Sequence, residues 1–293
     1  MPQPPSPGGI DLHTHSSCSD GSHSPRELVH LARENGLTAI ALTDHDTVGG
    51  IDEAQAAGRE TGVEVVSGIE VSVFQGDQPL HLLGYFLDHR HREILACLAE
   101  AQEIRHRRNR KMLQKINQLG IPIDEDELRA LSGGQIGRPH FAALLVRKGA
   151  VATREQAFER FLKRNRAAYV AKDPYDARIA IAAIIASGGI AVLAHPGVMY
   201  PELKDLPALL RALKNHGLGG IEVHYPSHSP TTCRRLLRLA KDFDLAVTGG
   251  SDFHGSDRHG PLFCGTGGNA AVPYQILEEL KRRLPGPAAP ANG

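Results

Sequence analysis

Residues 10–15 read IDLHTH, a short apolar run that ends in two histidines separated by one residue. Side chains two positions apart on a β-strand point to the same face, so His13 and His15 could bind one metal ion together. A single HxH pair is weak evidence, because a partly exposed polar strand end is a commoner explanation. The stretch therefore has to be weighed with the runs that follow it.

Six further apolar runs of β type follow along the chain, and none of them alternates strictly between apolar and polar residues. They are TAIALTDH (38–45), VEVVSGIEVSV (63–73), LHLLGYFL (80–87), GIAVLAHP (189–196), GGIEVHYP (219–226) and LAVTGGSDFH (245–254). Such runs are typical of parallel strands buried on both faces, and the helical patterns between most of them predict βαβ units. We therefore predict an α/β fold in which seven strands form a barrel rather than an open sheet.

The alternation of strands and helices stops in the middle of the chain, where helical patterns follow one another without a strand. We predict that residues 10–90 and 170–284 form the barrel and that residues 91–169 form a helical insertion that caps one end. A longer set of barrel helices is the alternative. Residues 1–9 and 285–293 are rich in Pro, Gly and Ala and are predicted to be disordered tails.

The composition argues against several classes of protein. The 293 residues include 33 basic and 33 acidic side chains, so a general coating of nucleic acid is not expected. No apolar run is long enough to span a membrane, and MPQPPSPGG at the start does not resemble a secretory signal. The four cysteines are scattered without a CxxC pair, which argues against a disulfide framework and a thiolate zinc site. We expect a cytoplasmic protein with no obligate protein partner.

Residue types that bind metals stand at an end of most predicted strands, and one of them, Glu70, lies within the third. They are His13, His15, His45, Glu70, His81, His195, His224, Asp252 and His254. The carboxyl ends of the strands of a parallel α/β barrel share one face, where active sites form, so we expect these side chains to gather there. His81 instead begins its run, which indicates that its strand is oriented or bounded differently. Imidazoles and carboxylates without thiolates suit manganese, iron or zinc, and their number favours more than one ion.

These residues resemble the PHP (polymerase and histidinol phosphatase) family. The matching stretches are IDLHTHSSCSDGSHSPREL (10–28), GLTAIALTDHDTVGG (36–50), GIEVS (68–72), HLLGY (81–85), LAHPG (193–197), EVHYPSH (222–228) and GSDFHG (250–255). The resemblance implies a distorted seven-stranded (β/α) barrel, in agreement with the strand count. It also implies two or three divalent ions per chain, with Mn²⁺ favoured and Fe²⁺ or Zn²⁺ as alternatives.

The resemblance further implies how the ligands are shared among the ions. The implied ligands are His13, His15 and Asp252 for the first ion, His81 and His195 for the second, and Asp20, His45 and His254 for the third. Glu70 would bridge the first two ions. Asp20 takes a position where some members of the family have histidine, so the third ion is the one for which this chain departs from the family pattern.

Within the family, the chain is most similar to the branch of 3′,5′-nucleoside bisphosphate phosphatases that includes RNase AM. The marks of that branch are the helical insertion, TDHDT (43–47), GRPHFA (137–142), YVAKDPY (169–175) and EVHYPSH (222–228). The likeness implies a hydrolase that releases the 3′-phosphate of adenosine 3′,5′-bisphosphate to give AMP. It also implies trimming of short RNA in the 5′-to-3′ direction, so a nucleotide or short RNA is the expected partner.

Several polar residues in or near the insertion are candidates for binding the substrate. We predict that Arg138, His140, Lys172 and His228 contact its phosphates, since arginine offers two parallel hydrogen bonds to phosphate. Without the resemblance, Arg138 and Lys172 would be interpreted as ordinary surface charges. The basic run IRHRRNRK (104–111) is best interpreted as a solvated helix face, with guidance of nucleic acid as the alternative.

We assign catalytic roles to Asp252, His254 and His224. His224 would assist the leaving oxygen, although an ordinary strand-end histidine is an equally good interpretation of this residue. Three other functions remain open. They are a phosphatase for another small ester such as histidinol phosphate, an amidohydrolase-type C–N hydrolase, and a non-catalytic metal- or RNA-binding module, against which the intact ligand set argues.

Overall fold

The computed structural model describes residues 8–132, 134–171, 173–255 and 272–284. Seven strands form one sheet in the order of the chain. They are β1 Ile10–Thr14, β2 Ala39–Leu42, β3 Glu64–Gln75, β4 Gln78–Tyr85, β5 Ile190–Leu193, β6 Gly220–His224 and β7 Ala246–Gly249. Each coincides with one of the seven predicted runs, because burial in the sheet requires the apolar composition by which the runs were recognised.

Helices connect most of the strands. They are α1 Pro25–Glu34, α2 Ile51–Thr61, α3 Arg92–Gln118, α4 Glu125–Ala130, α5 Arg138–Arg147, α6 Arg154–Ala157, α7 Ala177–Ala186, α8 Pro196–Met199, α9 Leu206–Asn215, α10 Pro230–Asp242 and α11 Tyr274–Arg282, with a π-helical turn at Phe158–Leu162. In the described ranges, no helix combines the length and the apolar character that a membrane span requires.

Strand β4 runs antiparallel to both of its neighbours, whereas the other pairs are parallel. The parallel sheet expected from the alternation of strands and helices is therefore interrupted at β4, and the different orientation indicated by the position of His81 is confirmed. Only Gly76 and Asp77 connect β3 to β4, with Gly76 at φ 57°. A two-residue connection forms a hairpin, because parallel strands need a crossover of a dozen or more residues. His81, near the start of β4, consequently lies at the edge where the parallel strands end.

The two ends of the sheet meet at that same edge. His15 N donates to Phe253 O at 2.8 Å, and Phe253 N donates to His13 O at 3.3 Å. The Asp11 carboxylate adds a further link, since it accepts from Ser251 N at 3.0 Å. Among the described strands no ladder joins β1 to β7, so the sheet is a distorted and incompletely closed barrel. This confirms the predicted fold.

Apolar side chains fill both the inside and the outside of the barrel. Inside, Leu12, Val66, Tyr85 and Val192 pack with Leu277 of α11. Helix α11 follows Val272, whose carbonyl accepts from Ile10 N at the start of β1, so this helix covers the end where the parallel strands begin. Outside, helices α1, α2, α7, α9 and α10 bury leucine, isoleucine and alanine against the strands. The opposite edge is left for polar side chains.

The helical segment has a hydrophobic cluster of its own. Phe141, Leu144 and Leu162 pack with Met112 and Ile116 from the second half of α3. The first half of α3 packs on the barrel core instead, through buried residues that include Ile94, Leu98 and Ala101. Helix α3 is therefore shared between the two cores. The division into a barrel and a 91–169 insertion stays a prediction.

Candidate metal centre

The nine predicted metal ligands come from six parts of the chain and gather at one edge of the barrel. Strand β1 and the loop after it carry His13, His15 and Asp20, and the loop after β2 carries His45. Glu70 lies in β3 and His81 in β4. The loop after β5 carries His195, and the loop after β7 carries Asp252 and His254. We call these nine residues the ligand cluster. Glu70 lies at its centre, only 1% exposed, with five histidines within ion-pair distance.

The first group in the cluster contains two carboxylates and the HxH pair. Glu70 Oε2 lies 3.4 Å from His13 Nε2 and 3.3 Å from His15 Nε2. Asp252 Oδ1 lies 3.3 and 3.0 Å from the same two nitrogens. All four ligand atoms lie within 4.8 Å of one another, which is close enough for one ion to be bound by all of them.

The second group forms on the other oxygen of Glu70. Glu70 Oε1 lies 2.8 Å from His81 Nδ1 and 3.2 Å from His195 Nε2, and these two nitrogens are 3.3 Å apart. A carboxylate with one oxygen in each group has the geometry of a bridging ligand. The antiparallel direction of β4 is what brings His81 into this group.

The third group contains Asp20, His45 and His254, beside His15. Asp20 Oδ1 is 3.2 Å from His254 Nε2 and 4.0 Å from His45 Nε2. The rings of His15 and His254 stack with centroids 4.0 Å apart, and His45 Nδ1 also reaches Glu70 Oε2 at 2.9 Å. This group is therefore continuous with the other two.

The atoms at the centre of the cluster fit divalent metal ions. His13 Nε2, His15 Nε2, Glu70 Oε2 and Asp252 Oδ1 are buried, and they make no well-aligned hydrogen bond within the part of the chain that the structure describes. Buried polar atoms without such partners are costly. A divalent ion would satisfy several of them at once, and imidazole nitrogen with carboxylate oxygen suits Mn²⁺, Fe²⁺ or Zn²⁺.

The electrostatics of the protein alone leave some candidate ligands in their metal-binding form and protonate others, from which an ion would displace a proton. Burial, followed by the nearby charge of His254, lowers the pKa of His15 to about 3, so this ring is neutral at pH 7. Burial would also lower the pKa of His254, but Asp20 and Asp252 outweigh it and raise that pKa to about 9. Burial opposes ionisation of Asp252, yet the neighbouring histidines hold the pKa of its carboxyl well below the usual range.

Three residues in or beside the cluster have left-handed backbone conformations that are uncommon outside glycine. His195 has φ 28°, Asp46 φ 54° and Asp252 φ 57°. Asp46 is fully buried beside the candidate ligand His45 and accepts hydrogen bonds from Arg105 Nε at 2.9 Å and Ser72 N at 3.0 Å. Backbone strain of this kind is often held at functional sites by the surrounding contacts.

The beginning of α5 approaches the third group. Arg138 and His140 are the first and third residues of this helix, and His140 Nδ1 accepts from Gly137 N at 3.0 Å. A side-chain carbon placed on Gly137 would lie 3.6 Å from Arg105 Nη1 and 4.0 Å from Asp20 Oδ2. The start of α5 thus lies close to Asp20 of the ligand cluster. Of the two predicted substrate contacts on this helix, Arg138 is exposed and His140 is buried.

Three other predicted site residues have different surroundings. Lys172 lies outside the described residues. His228 uses both ring nitrogens on the backbone, since Nε2 accepts from Gly197 N at 3.0 Å and Nδ1 donates to Val223 O at 2.9 Å. For His224, no contact with the ligand cluster is found among the described residues, and burial with the neighbouring His228 lowers its pKa. Their assigned roles stay predictions.

Two arginines of α3, Arg105 and Arg108, were not predicted as site residues but belong to the basic run 104–111. Both are buried, so the interpretation of this run as a solvated helix face is wrong at these two positions. Arg105 pairs with Asp46, whereas Arg108 has no carboxylate partner in the described ranges and donates only to Asn109 Oδ1 at 2.9 Å. Burial, with the charges of Arg105 and Arg138, lowers the pKa of Arg108 to about 9. We call Arg105, Arg108 and Arg138 the guanidinium cluster.

Tyr225 was also missed by the sequence reasoning. Its hydroxyl donates to Asp252 Oδ2 at 2.9 Å, and its ring lies 5.4 Å from that of His195. It lies within EVHYPSH (222–228), a stretch that matches the family, but no role was predicted for the residue itself. Nothing in the sequence separates Tyr225 from an ordinary aromatic residue after a strand.

Known proteins resemble this chain over most of its length. The PHP domain family matches residues 11–175. A 5′-3′ exoribonuclease of Haemophilus influenzae is 38% identical over 83% of this chain and 89% of its own. A 3′,5′-nucleoside bisphosphate phosphatase of Chromobacterium violaceum is 33% identical over 95% of this chain and 99% of its own. A crystal structure from Bifidobacterium adolescentis, described as a metal-dependent phosphoesterase, superposes with a TM-score of 0.85 at 34% identity and covers 97% of this chain and 98% of that one.

Proposed function

This chain belongs to the PHP family and is a metal-dependent phosphoesterase, and from that premise we propose that it releases the 3′-phosphate of 3′,5′-nucleoside bisphosphates and trims short RNA from the 5′ end. The observation that carries the proposal is the presence of two neighbouring groups of side chains. Metal ligands form one of them, and the buried Arg105 and Arg108 with the exposed Arg138 form the other. A substrate with two phosphates can place one phosphate at the metal ligands and the other at the guanidinium groups.

The ligand cluster supports two or three ions, for which we favour Mn²⁺. Bound ions would activate water and neutralise the oxygens of the phosphate under attack. Glu70 would bridge the first two groups, since each of its oxygens faces one of them. Tyr225 would hold Asp252 in place through its hydroxyl. Asp252 and His254 are the predicted catalytic residues that lie in the cluster, and His224 is retained only as a candidate for protonating the leaving oxygen.

The guanidinium cluster supports recognition of the second phosphate. Arg108 is buried and positively charged, and no carboxylate neutralises it among the described residues. Such a group is costly unless an anion joins it. Arg138 stands at the start of α5, where the helix dipole also favours an anion. We propose His140 and Lys172 as additional phosphate contacts.

Two assays in the presence of Mn²⁺ test the proposal directly. One measures phosphate released from adenosine 3′,5′-bisphosphate, 3′-AMP and histidinol phosphate. The other measures nucleoside monophosphates released from 5′-phosphorylated RNA oligomers, because cleavage of a phosphodiester bond frees a nucleotide and no inorganic phosphate. We expect the bisphosphate and the RNA to be hydrolysed much more efficiently than the two singly phosphorylated small esters. A preference for histidinol phosphate, or the absence of phosphate and nucleotide release from every substrate, would contradict it. We also propose a cytoplasmic location, which the free Cys18, Cys97 and Cys233 support.

A further inference from the structure

Glu222 is a fully buried carboxylate in β6 that no part of the proposed reaction uses. In the described ranges, the structure pairs it with neither lysine nor arginine. Its two oxygens have different partners instead. Oε1 lies 3.0 Å from His13 Nδ1, and Oε2 accepts from the backbone N of His195 at 2.7 Å. Each oxygen therefore contacts a different candidate ligand.

The contact with His13 determines which nitrogen of that ring can bind metal. His13 Nε2 faces Glu70 Oε2 at 3.4 Å and Asp252 Oδ1 at 3.3 Å. A neutral imidazole carries one proton, and Nδ1–H donated to a carboxylate leaves the lone pair on Nε2. A metal-binding histidine commonly donates its other N–H in this way.

The contact with His195 acts on the backbone. His195 has φ 28° and ψ 53°, a conformation that costs energy for a residue with a side chain. A charge-assisted hydrogen bond from its N–H to Glu222 stabilises this conformation. The ring is thereby held with Nε2 3.2 Å from Glu70 Oε1.

We propose that Glu222 is a positioning residue that fixes one ligand in each of two metal groups, by holding His13 as the Nδ1–H tautomer and by anchoring the backbone of His195. The inference rests on the proposed metal centre. It predicts that the sites of the first and second ions are linked by Glu222, which contacts one ligand of each, as well as by the bridging Glu70.

The substitution Glu222→Gln separates this role from simple filling of the barrel. The amide keeps the size of the carboxylate but replaces one acceptor oxygen by a donor NH₂. Both of its partners donate to the carboxylate, so one of the two contacts must be lost or reversed. If NH₂ faces His13, the ring is driven to the Nε2–H tautomer and loses its metal-binding lone pair. If NH₂ faces His195, the strained backbone loses its anchor.

The experiment measures Mn²⁺ binding by calorimetric titration of the full chain and its variants. We expect Glu222→Gln to weaken Mn²⁺ binding by about 10–100-fold, which is the usual effect of mutating a residue that hydrogen-bonds to a metal ligand. The control is Ser187→Ala, which removes another buried hydrogen bond, from the Ser187 hydroxyl to Ile184 O at 2.8 Å. Ser187 lies before the start of β5, at the opposite end of the strand from His195, so its variant should bind Mn²⁺ like the wild type.

A nitrogen-15 spectrum of the histidines in the Zn²⁺-loaded wild type provides a second measurement, with the His13 signal assigned by comparison with His13→Ala. The proposal requires a proton on His13 Nδ1, and a proton on Nε2 would overturn it whether or not the variant folds. Unchanged Mn²⁺ affinity in Glu222→Gln would overturn it as well. Failure of the wild type to bind either ion would instead refute the metal centre and the proposed function.

Discussion

His13 and Asp252 come from opposite ends of the chain and face each other at 3.3 Å in the ligand cluster. If both bind the first ion, His13→Ala should lower kcat/KM on nucleotide substrates by at least about a hundredfold. Mutation of a residue that only hydrogen-bonds to a metal ligand already lowers metal affinity or activity by about 10–100-fold. Elemental analysis should show fewer bound ions per chain. His30→Ala, which alters an exposed histidine of α1, serves as the control. Full metal content with lost activity would show that His13 acts in another way.

Arg138 provides the sharpest test of substrate recognition. Loss of its two charge-assisted hydrogen bonds to phosphate should cost about 2–4 kcal/mol in transition-state binding, or a drop in kcat/KM of about thirtyfold to a thousandfold. For p-nitrophenyl phosphate, whose single phosphate is expected at the metals, Arg138→Ala should change little. Arg147→Ala at the other end of α5 is the matched control.

Steady-state kinetics of these variants on both esters separate the alternatives. Equal losses for Arg138→Ala on the bisphosphate and on the small ester would mean that Arg138 serves the metal-bound phosphate or the fold. No loss on either substrate would mean that the guanidinium cluster does not bind the second phosphate.

At the scale of the element, the sequence predicted the seven strands but indicated the reversed direction of β4 only through the position of His81. Seven apolar runs became seven strands because burial on both faces demands that composition. The reversal of β4 depends on the two-residue connection Gly76–Asp77, a hairpin signal that apolar patterning does not contain. Arg105, Arg108 and Glu222 were missed for a related reason. Their importance comes from burial beside the cluster, which is a property of tertiary contacts rather than of residue type.

The structure suggests a smaller deletion of the helical segment than the predicted boundaries 91–169, one that leaves the barrel core intact. The first half of α3 packs on the barrel, so it should stay. Lys115 Nζ donates to Tyr169 O at 2.7 Å, so a short glycine-rich linker of about four residues could replace residues 116–168. We expect the shortened protein to fold and bind Mn²⁺ but to lose its preference for bisphosphates, because Arg138 and His140 are gone.

Mn²⁺ titration and kinetics on both esters compare the shortened protein with the full chain. Loss of Mn²⁺ binding would show that the removed residues belong to the core that supports the ligand cluster. Retention of the bisphosphate preference would place the second phosphate elsewhere.

At the scale of the whole molecule, the metal ions should contribute to stability as well as to activity. Ions that bind only the folded chain stabilise it by about 3–4 kcal/mol at free concentrations of 100–1,000 times Kd. EDTA should therefore abolish activity and lower the melting temperature, and Mn²⁺ should restore both. Elemental analysis of the purified protein should give more than one ion per chain. A melting temperature and an activity that EDTA leaves unchanged would contradict a metal-dependent enzyme.

The meeting of the two sheet ends also has a consequence for biosynthesis. The first candidate ligand is His13 and the last is His254, and Phe253 joins the end of β1 to the segment after β7. A ribosome-bound chain has His13 and His15 available long before Asp252 leaves the exit tunnel. The first metal group can be assembled only when nearly the entire chain has been made, so capture of the ion comes at the end of synthesis, and a chain truncated before β7 should be left without it.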